Sequence, residues 1–270
     1  MDTHHLEVAV QAAKAGAAEL MSRRDSRVVS EKAPKDLVTD ADLASQKAIR
    51  DLLTSKFPDY AFVGEEEGEN EPPDAVRANH PDAQPCWVVD PLDGTINYVH
   101  RLQSFAVSIG LYAQGKMRLG VIYDPVIDEI FTAIDGQGAH CNGRPMKVSS
   151  CTDLSDALLA CSFPAGVRAQ APEIDRFARI LEKCRSVRRL GSCALNMCYV
   201  ADGRLDGYWA TSVAAWDAAA GIVICREAGA SLSAYNGGAI DVWLPRFCVS
   251  ASEPIQQRIV GMLSSPAQQS

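Results

Sequence analysis

The chain has 270 residues, of which 47% are hydrophobic and 22% charged, with a formal net charge of −8. That composition is ordinary for a globular protein, and the length allows one large unit or two subdomains. The negative charge argues against nucleic acid or an anionic membrane as the main partner, so any phosphate must be attracted by a local cation or by backbone N–H groups.

The polar start, Met1-Asp2-Thr3-His4-His5, leads into Leu6, Val10, Ala13, Ala17 and Leu20 at helical spacing, predicting a helix over about 4–23 and no signal peptide. No apolar run approaches the ~20 residues that span a bilayer, and a cytoplasmic placement is expected. Val28-Val29 begins an extended piece, and Glu31 to Lys35 reads as a polar loop. Thr39 to Asp42 supplies cap candidates for a helix carrying Ile49, Leu52 and Leu53, which Phe57-Pro58 ends. Tyr60 to Val63 reads as a strand running into Glu65-Glu66-Glu67, and residues 67–85 read as a surface loop.

Trp87-Val88-Val89 predicts a buried strand that stops at Asp90-Pro91. Three further runs, 105–112, 119–125 and 130–134, predict an antiparallel sheet with short turns, followed by a glycine-rich turn over 136–144. A boundary is expected near 147, giving an α+β subdomain over 1–147 and an α/β subdomain over 148–270. In the second part, strands are expected at 158–161, 187–191, 205–210 and 247–250, with helices at 174–183, 193–200 and 217–228. Nine cysteines without a C-x-x-C pair read as small buried apolar residues.

The chemistry concentrates at Asp90-Pro91-Leu92-Asp93-Gly94-Thr95. Two carboxylates held close together repel, and burying them unpaired costs several kcal/mol, so a positive charge is required. A hard cation such as Mg²⁺, which prefers oxygen donors, would supply it. Gly94-Thr95 adds backbone N–H groups and a hydroxyl at a predicted helix start, which suits a phosphate. A plain strand-to-turn corner with Asp capping is the alternative for this motif alone. Glu65, Asp42 and Asp217 stand at other strand and helix ends, where each could equally be a cap or a solvated acid.

Taken together, Asp36 to Asp42, Gly64-Glu65-Glu66, Asp90 to Tyr98, Gly120 to Pro125 and Trp216 to Gly221 resemble the inositol monophosphatase family of magnesium-dependent, lithium-sensitive sugar phosphatases. The resemblance implies a layered αβαβα sandwich of the inositol monophosphatase and fructose-1,6-bisphosphatase type, a homodimer, and two or three Mg²⁺ ions. By this resemblance Glu65, Asp90 and the Leu92 carbonyl hold a first ion, and Asp90, Asp93 and Asp217 a second. Thr95 and Asp42 correspond to the pair that positions the attacking water, with Glu65 counted among the catalytic groups. Asp93, Gly94, Thr95, Gly191, Ser192, Cys193 and Asp217 correspond to substrate-binding positions, and Lys32 to a basic contact, with Lys35 as its neighbour. Ala210 stands where inositol-specific members carry an acid, so an apolar wall is expected there, with Thr211 or Ser212 as substitutes. Histidinol-phosphate and fructose-1,6-bisphosphate phosphatases are the enzymatic alternatives, and a non-catalytic dimeric regulator is the alternative of a different class.

Overall fold

Alternation along the strands decides the layering. The computed structural model describes residues 3–33, 36–67, 84–164, 166–169, 171–211 and 213–265. Helices α1 (Thr3–Arg23) and α2 (Asp40–Lys56) flank a hairpin of β1 (Val29–Ala33) and β2 (Asp36–Thr39). A seven-stranded sheet follows, in the order β3 (Ala61–Gly64), β4 (Cys86–Asp93), β5 (Ala106–Ala113), β6 (Lys116–Asp124), β7 (Glu129–Ile134), β8 (Ala139–Cys141) and β9 (Arg144–Pro145). Only β3 and β4 run parallel, and a short helix α3 (Thr95–Val99) follows β4. Trp87 and Val89 of β4 point into the core formed with α1 and α2, while Cys86 and Val88 point to the opposite face.

That opposite face is covered by α5 (Cys193–Ala201) and α6 (Ala215–Glu227). Beyond them lies a five-stranded sheet in the order β11 (Ser186–Arg188), β10 (Leu158–Ser162), β12 (Gly207–Ala210), β14 (Phe247–Ser250) and β13 (Ser231–Ala234). In β12, Tyr208 and Ala210 face the central helices, whereas Trp209 faces α4 (Pro172–Leu181) and α7 (Glu253–Ser264). The result is helix, sheet, helix, sheet, helix. The middle layer can lie close to the first sheet because Gly120 has no side chain: a Cβ there would sit 2.4 Å from the Ala220 carbonyl oxygen of α6.

Several sequence expectations change. β4 does not stop at Asp90-Pro91 but continues to Asp93, because the ladder to β5 resumes after an irregularity. The 31–35 loop is partly strand, since β1 reaches Ala33. The 136–144 turn holds β8 and part of β9, strands too short to show a periodic pattern and formed by pairing with β7 and each other. α6 begins at Ala215 rather than Asp217, β12 at Gly207 rather than Leu205, and β13 and α7 add to the expected elements. Most of the 67–85 loop lies outside the described residues. All nine cysteines are free, and only Cys151 and Cys184 are partly exposed.

Candidate active site

One extra residue in β4 brings Asp90 and Asp93 to the same face. Asp90 pairs with Ser108 and Asp93 with Ala106, so three steps along β4 match two along β5. Strict alternation would send residue 93 to the side opposite residue 90; the bulge reverses that parity. Pro91 occupies the irregular stretch, where it has no N–H to leave unpaired, and its carbonyl accepts from Ser45 Oγ of α2 at 2.9 Å. Ser108, on the face shared by the two aspartates, donates to the Trp216 carbonyl at 3.3 Å, and so to the first turn of α6. The next residue is Asp217.

One carboxylate oxygen from each of Asp90, Asp93 and Asp217 lies within 4.8 Å of the others. Asp90 and Asp93 are buried. Asp217 is the third residue of α6, and its Oδ2 accepts the Ala214 N–H at 2.7 Å, so the capping alternative and the cluster hold together. Asp93 is held by the N-terminus of α5: Cys193 N donates to Oδ1 at 3.1 Å, Ala194 N to Oδ2 at 2.8 Å, and the Ser192 hydroxyl also donates to Oδ2. Asp90 Oδ1 accepts from Leu92 N at 2.9 Å.

Burial and mutual repulsion raise these acids. Desolvation, then the charges of Glu65, Asp93 and Asp217, push Asp90 well above the usual carboxylate range. Burial and Asp217 push Asp93 up to about 7, against the pull of its three hydrogen bonds. Burial raises Asp217 as well. Among the described residues no Lys, Arg or His forms an ion pair with any of the three. Glu65 opens the single turn Glu65–Glu67 directly after β3, whose Gly64 pairs with Val89, so Glu65 follows the end of β3 alongside Asp90 of β4.

Asp42 and Thr95 face one another at the edge of this cluster. Thr39 caps α2, and its N–H and hydroxyl both donate to Asp42 Oδ2, at 2.9 and 2.5 Å. Oδ1 of Asp42 is left 3.4 Å from the Thr95 hydroxyl, which also lies 3.1 Å from the Leu92 carbonyl. Burial pushes the Asp42 carboxyl up to about 6. Gly94 is the N-cap of α3 with φ +95°, and a Cβ on it would sit 2.9 Å from the Ser104 carbonyl oxygen.

The profile of the inositol monophosphatase family matches residues 1–266. The chain belongs to the inositol monophosphatase family. It is 40% identical over 237 residues, 86% of each chain, to the Nus factor SuhB of Pasteurella multocida. It is 39% identical over 267 residues, 97% of this chain and 96% of the relative, to an inositol-1-monophosphatase of Mesorhizobium japonicum. Of solved structures, the extragenic suppressor protein suhB from Bartonella henselae superposes with a TM-score of 0.86 at 35% identity, covering 97% of this chain and 99% of that one. The layered inositol monophosphatase fold is thus the fold of this chain. Membership supports a phosphatase activity with a metal requirement.

Of the other expected positions, Ser192 and Cys193 meet Asp93 directly. Gly191 (φ +86°) precedes Ser192, the N-cap of α5, and Cys193, whose thiol is pushed up by burial and faces no open solvent. Ala210 corrects an expectation: it is fully buried between Ser162 and Phe247 on neighbouring strands, so its methyl forms no open wall. The Thr211 hydroxyl is also buried, without a hydrogen-bond partner among the described residues, and Ser212 and Lys35 lie outside them. Lys32 lies on β1. A cavity of about 480 Å³ lined by Tyr112, Lys116, Arg226 and Trp243 sits at the far end of α6 from Asp217, away from this chemistry. Asn97 carried no site role in the sequence, although it lies in the Asp90 to Tyr98 motif; its role depends on contacts with Leu190 and Ser104. No helix among the described residues is long and apolar enough to cross a membrane.

Proposed function

We propose that the chain is a Mg²⁺-dependent phosphomonoesterase acting on inositol monophosphate or a related polyol or sugar phosphate. The observation that carries this reading is the convergence of Asp90, Asp93 and Asp217 from two elements, raised by burial and matched by no cationic side chain among the described residues. An all-oxygen donor set of this kind fits a hard divalent cation, and such an ion removes the cost of the buried charges. Glu65 and the Leu92 carbonyl would complete the donors that hold two or three such ions. When bound, such ions neutralise the phosphate dianion, acidify a water and stabilise the leaving alkoxide.

The chain's own groups then have distinct roles. The Thr95 hydroxyl has one proton and two acceptors within reach, the Leu92 carbonyl and Asp42 Oδ1. With that proton turned to Asp42, the Thr95 oxygen accepts a hydrogen bond from water and aims the water oxygen at phosphorus. Asp42, pushed up to about 6, is ionised at neutral pH yet basic enough to take the proton released. As the water oxygen bonds to phosphorus, the ester P–O bond opposite breaks; the alkoxide takes a proton from a solvent water and Asp42 returns its proton to solvent, so that ester and water become alcohol and inorganic phosphate. The backbone at Gly94 and Thr95 receives the phosphate oxygens, and Gly191 to Cys193 adjoins the alcohol portion.

Relatives named Nus factor favour a second reading, a binding role. The buried acids speak against that as the sole role, because a binding surface has no need of them. We further propose a homodimer, a cytoplasmic location and inhibition by Li⁺. Phosphate release from inositol 1-phosphate, histidinol phosphate and fructose 1,6-bisphosphate, with Mg²⁺ or with EDTA, tests the reading. Release that requires Mg²⁺ and favours the first ester is expected. No release from any ester would overturn it, and preference for either of the others would reassign the substrate.

A further inference from the structure

Two segments of the site come from the two different sheets. Gly94 and Thr95 close β4 of the seven-stranded sheet, whereas Leu190 to Cys193 lead from β11 of the five-stranded sheet into α5. Asp93 meets the second segment at Ser192 and Cys193, and a second side chain ties it at Leu190. Asn97, on α3 and 7% exposed, donates from Nδ2 to the Leu190 carbonyl at 2.7 Å and to the Ser104 carbonyl at 2.7 Å. A primary amide has two N–H groups, and both are used. Gly191 lies directly over the same amide: a Cβ there would sit 2.7 Å from Nδ2 and 2.9 Å from Oδ1. The glycine thus admits the close approach that the two hydrogen bonds hold.

We propose that Asn97 is a positioning residue that sets the spacing between the phosphate-facing turn at Gly94-Thr95 and the alcohol-facing segment at Gly191-Ser192. This rests on the phosphatase reading above. Ser192 and the α5 N–H groups hold Asp93 independently of Asn97, through contacts of their own. Loss of the Asn97 clamp therefore moves the segment against which a polyol is read more than the carboxylate cluster itself. Substrates whose alcohol makes hydroxyl contacts depend on that spacing, while an ester with a flat, hydroxyl-free leaving group depends on it little.

The test compares inositol 1-phosphate with p-nitrophenyl phosphate under saturating Mg²⁺. Asn97→Asp keeps the shape but replaces both donors with an acceptor facing two carbonyl oxygens. It is expected to lower kcat/KM for inositol 1-phosphate at least tenfold, chiefly through KM, and that for p-nitrophenyl phosphate no more than threefold. Asn97→Ala, which removes the amide without placing a charge against the two carbonyls, should reproduce the selective loss should Asn97→Asp fail to fold. An equal loss on both esters, or no loss, would overturn the proposal while leaving the phosphatase reading intact. A wild-type protein that hydrolyses neither ester would overturn both.

Discussion

At the scale of single residues, Asp93 is the most exposed to test. It meets Asp90 and Asp217 on one side and three donors of the α5 N-terminus on the other. Asp93→Asn removes the charge and turns an amide NH₂ toward one of those partners. Hydrolysis should fall about a hundredfold or more, the scale on which loss of a charge-stabilising group usually acts, while circular dichroism shows a folded protein. Near-wild-type turnover at saturating Mg²⁺ would remove Asp93 from the proposed ligands. Thr95→Ala addresses the water instead. The hydroxyl contact matters chiefly while the water attacks, so kcat should fall far more than KM rises. A change confined to KM would make Thr95 a phosphate contact alone. Asp90, Asp93 and Thr95 were legible because they are contiguous in the chain. The burial of Ala210 was not, because it depends on Phe247, a strand away in space and 37 positions along the chain.

At the scale of elements, the site depends on how closely α6 lies on the first sheet. Gly120 and the Ala220 carbonyl set that approach, and Asp217 stands less than a turn before Ala220 on the same helix. Gly120→Ala must push the helix outward, at about 1–3 kcal/mol as for other overpacked cores. The expected result is a lower Tm together with a loss of activity larger than the loss of folded protein. Full activity per folded molecule would show that Asp217 tolerates the shift. Most helices were readable from apolar spacing, and α2 also from its cap candidates at Thr39 to Asp42. The β4 bulge was not readable, since Asp90-Pro91 looks like an ending until β5 supplies partners on both sides of it. β8, β9 and β13 lack periodic signal because strands of two to four residues owe their existence to their neighbours.

At the scale of the whole molecule, the aspartate cluster ties stability to pH and cation. Asp93 is pushed from 3.8 to about 7 without a cation, so the folded state binds its proton more tightly than the unfolded chain does. That stabilisation is complete below about 4 and is lost as pH rises through 7. A cation bound there would replace the lost proton. The rise in Tm given by Mg²⁺ over EDTA should be largest above pH 7 and shrink as pH falls toward 5, where protons compete for the same oxygens. A Mg²⁺ effect independent of pH between 5 and 8 would place the ion away from these carboxylates. The core between the two sheets joins the halves: α5 and α6 come from the second half yet cover the seven-stranded sheet of the first.

The sequence by itself determined which groups could do chemistry, because residue type and local order suffice for the Asp-Pro-Leu-Asp-Gly-Thr motif and for the acids at helix and strand ends. It also determined most helices and long strands, whose burial repeats with a period that the chain displays. Only the tertiary structure decided that Asp93 shares a face with Asp90, that Asp217 arrives opposite them, that Asn97 joins Leu190 to Ser104, and that Ala210 is closed off. Each of those facts is set by strand register, by the approach of a helix to a sheet, or by contact between segments far apart along the chain. Such distances are fixed by packing, and without the extra residue in β4 strict alternation would put the same aspartates on opposite faces.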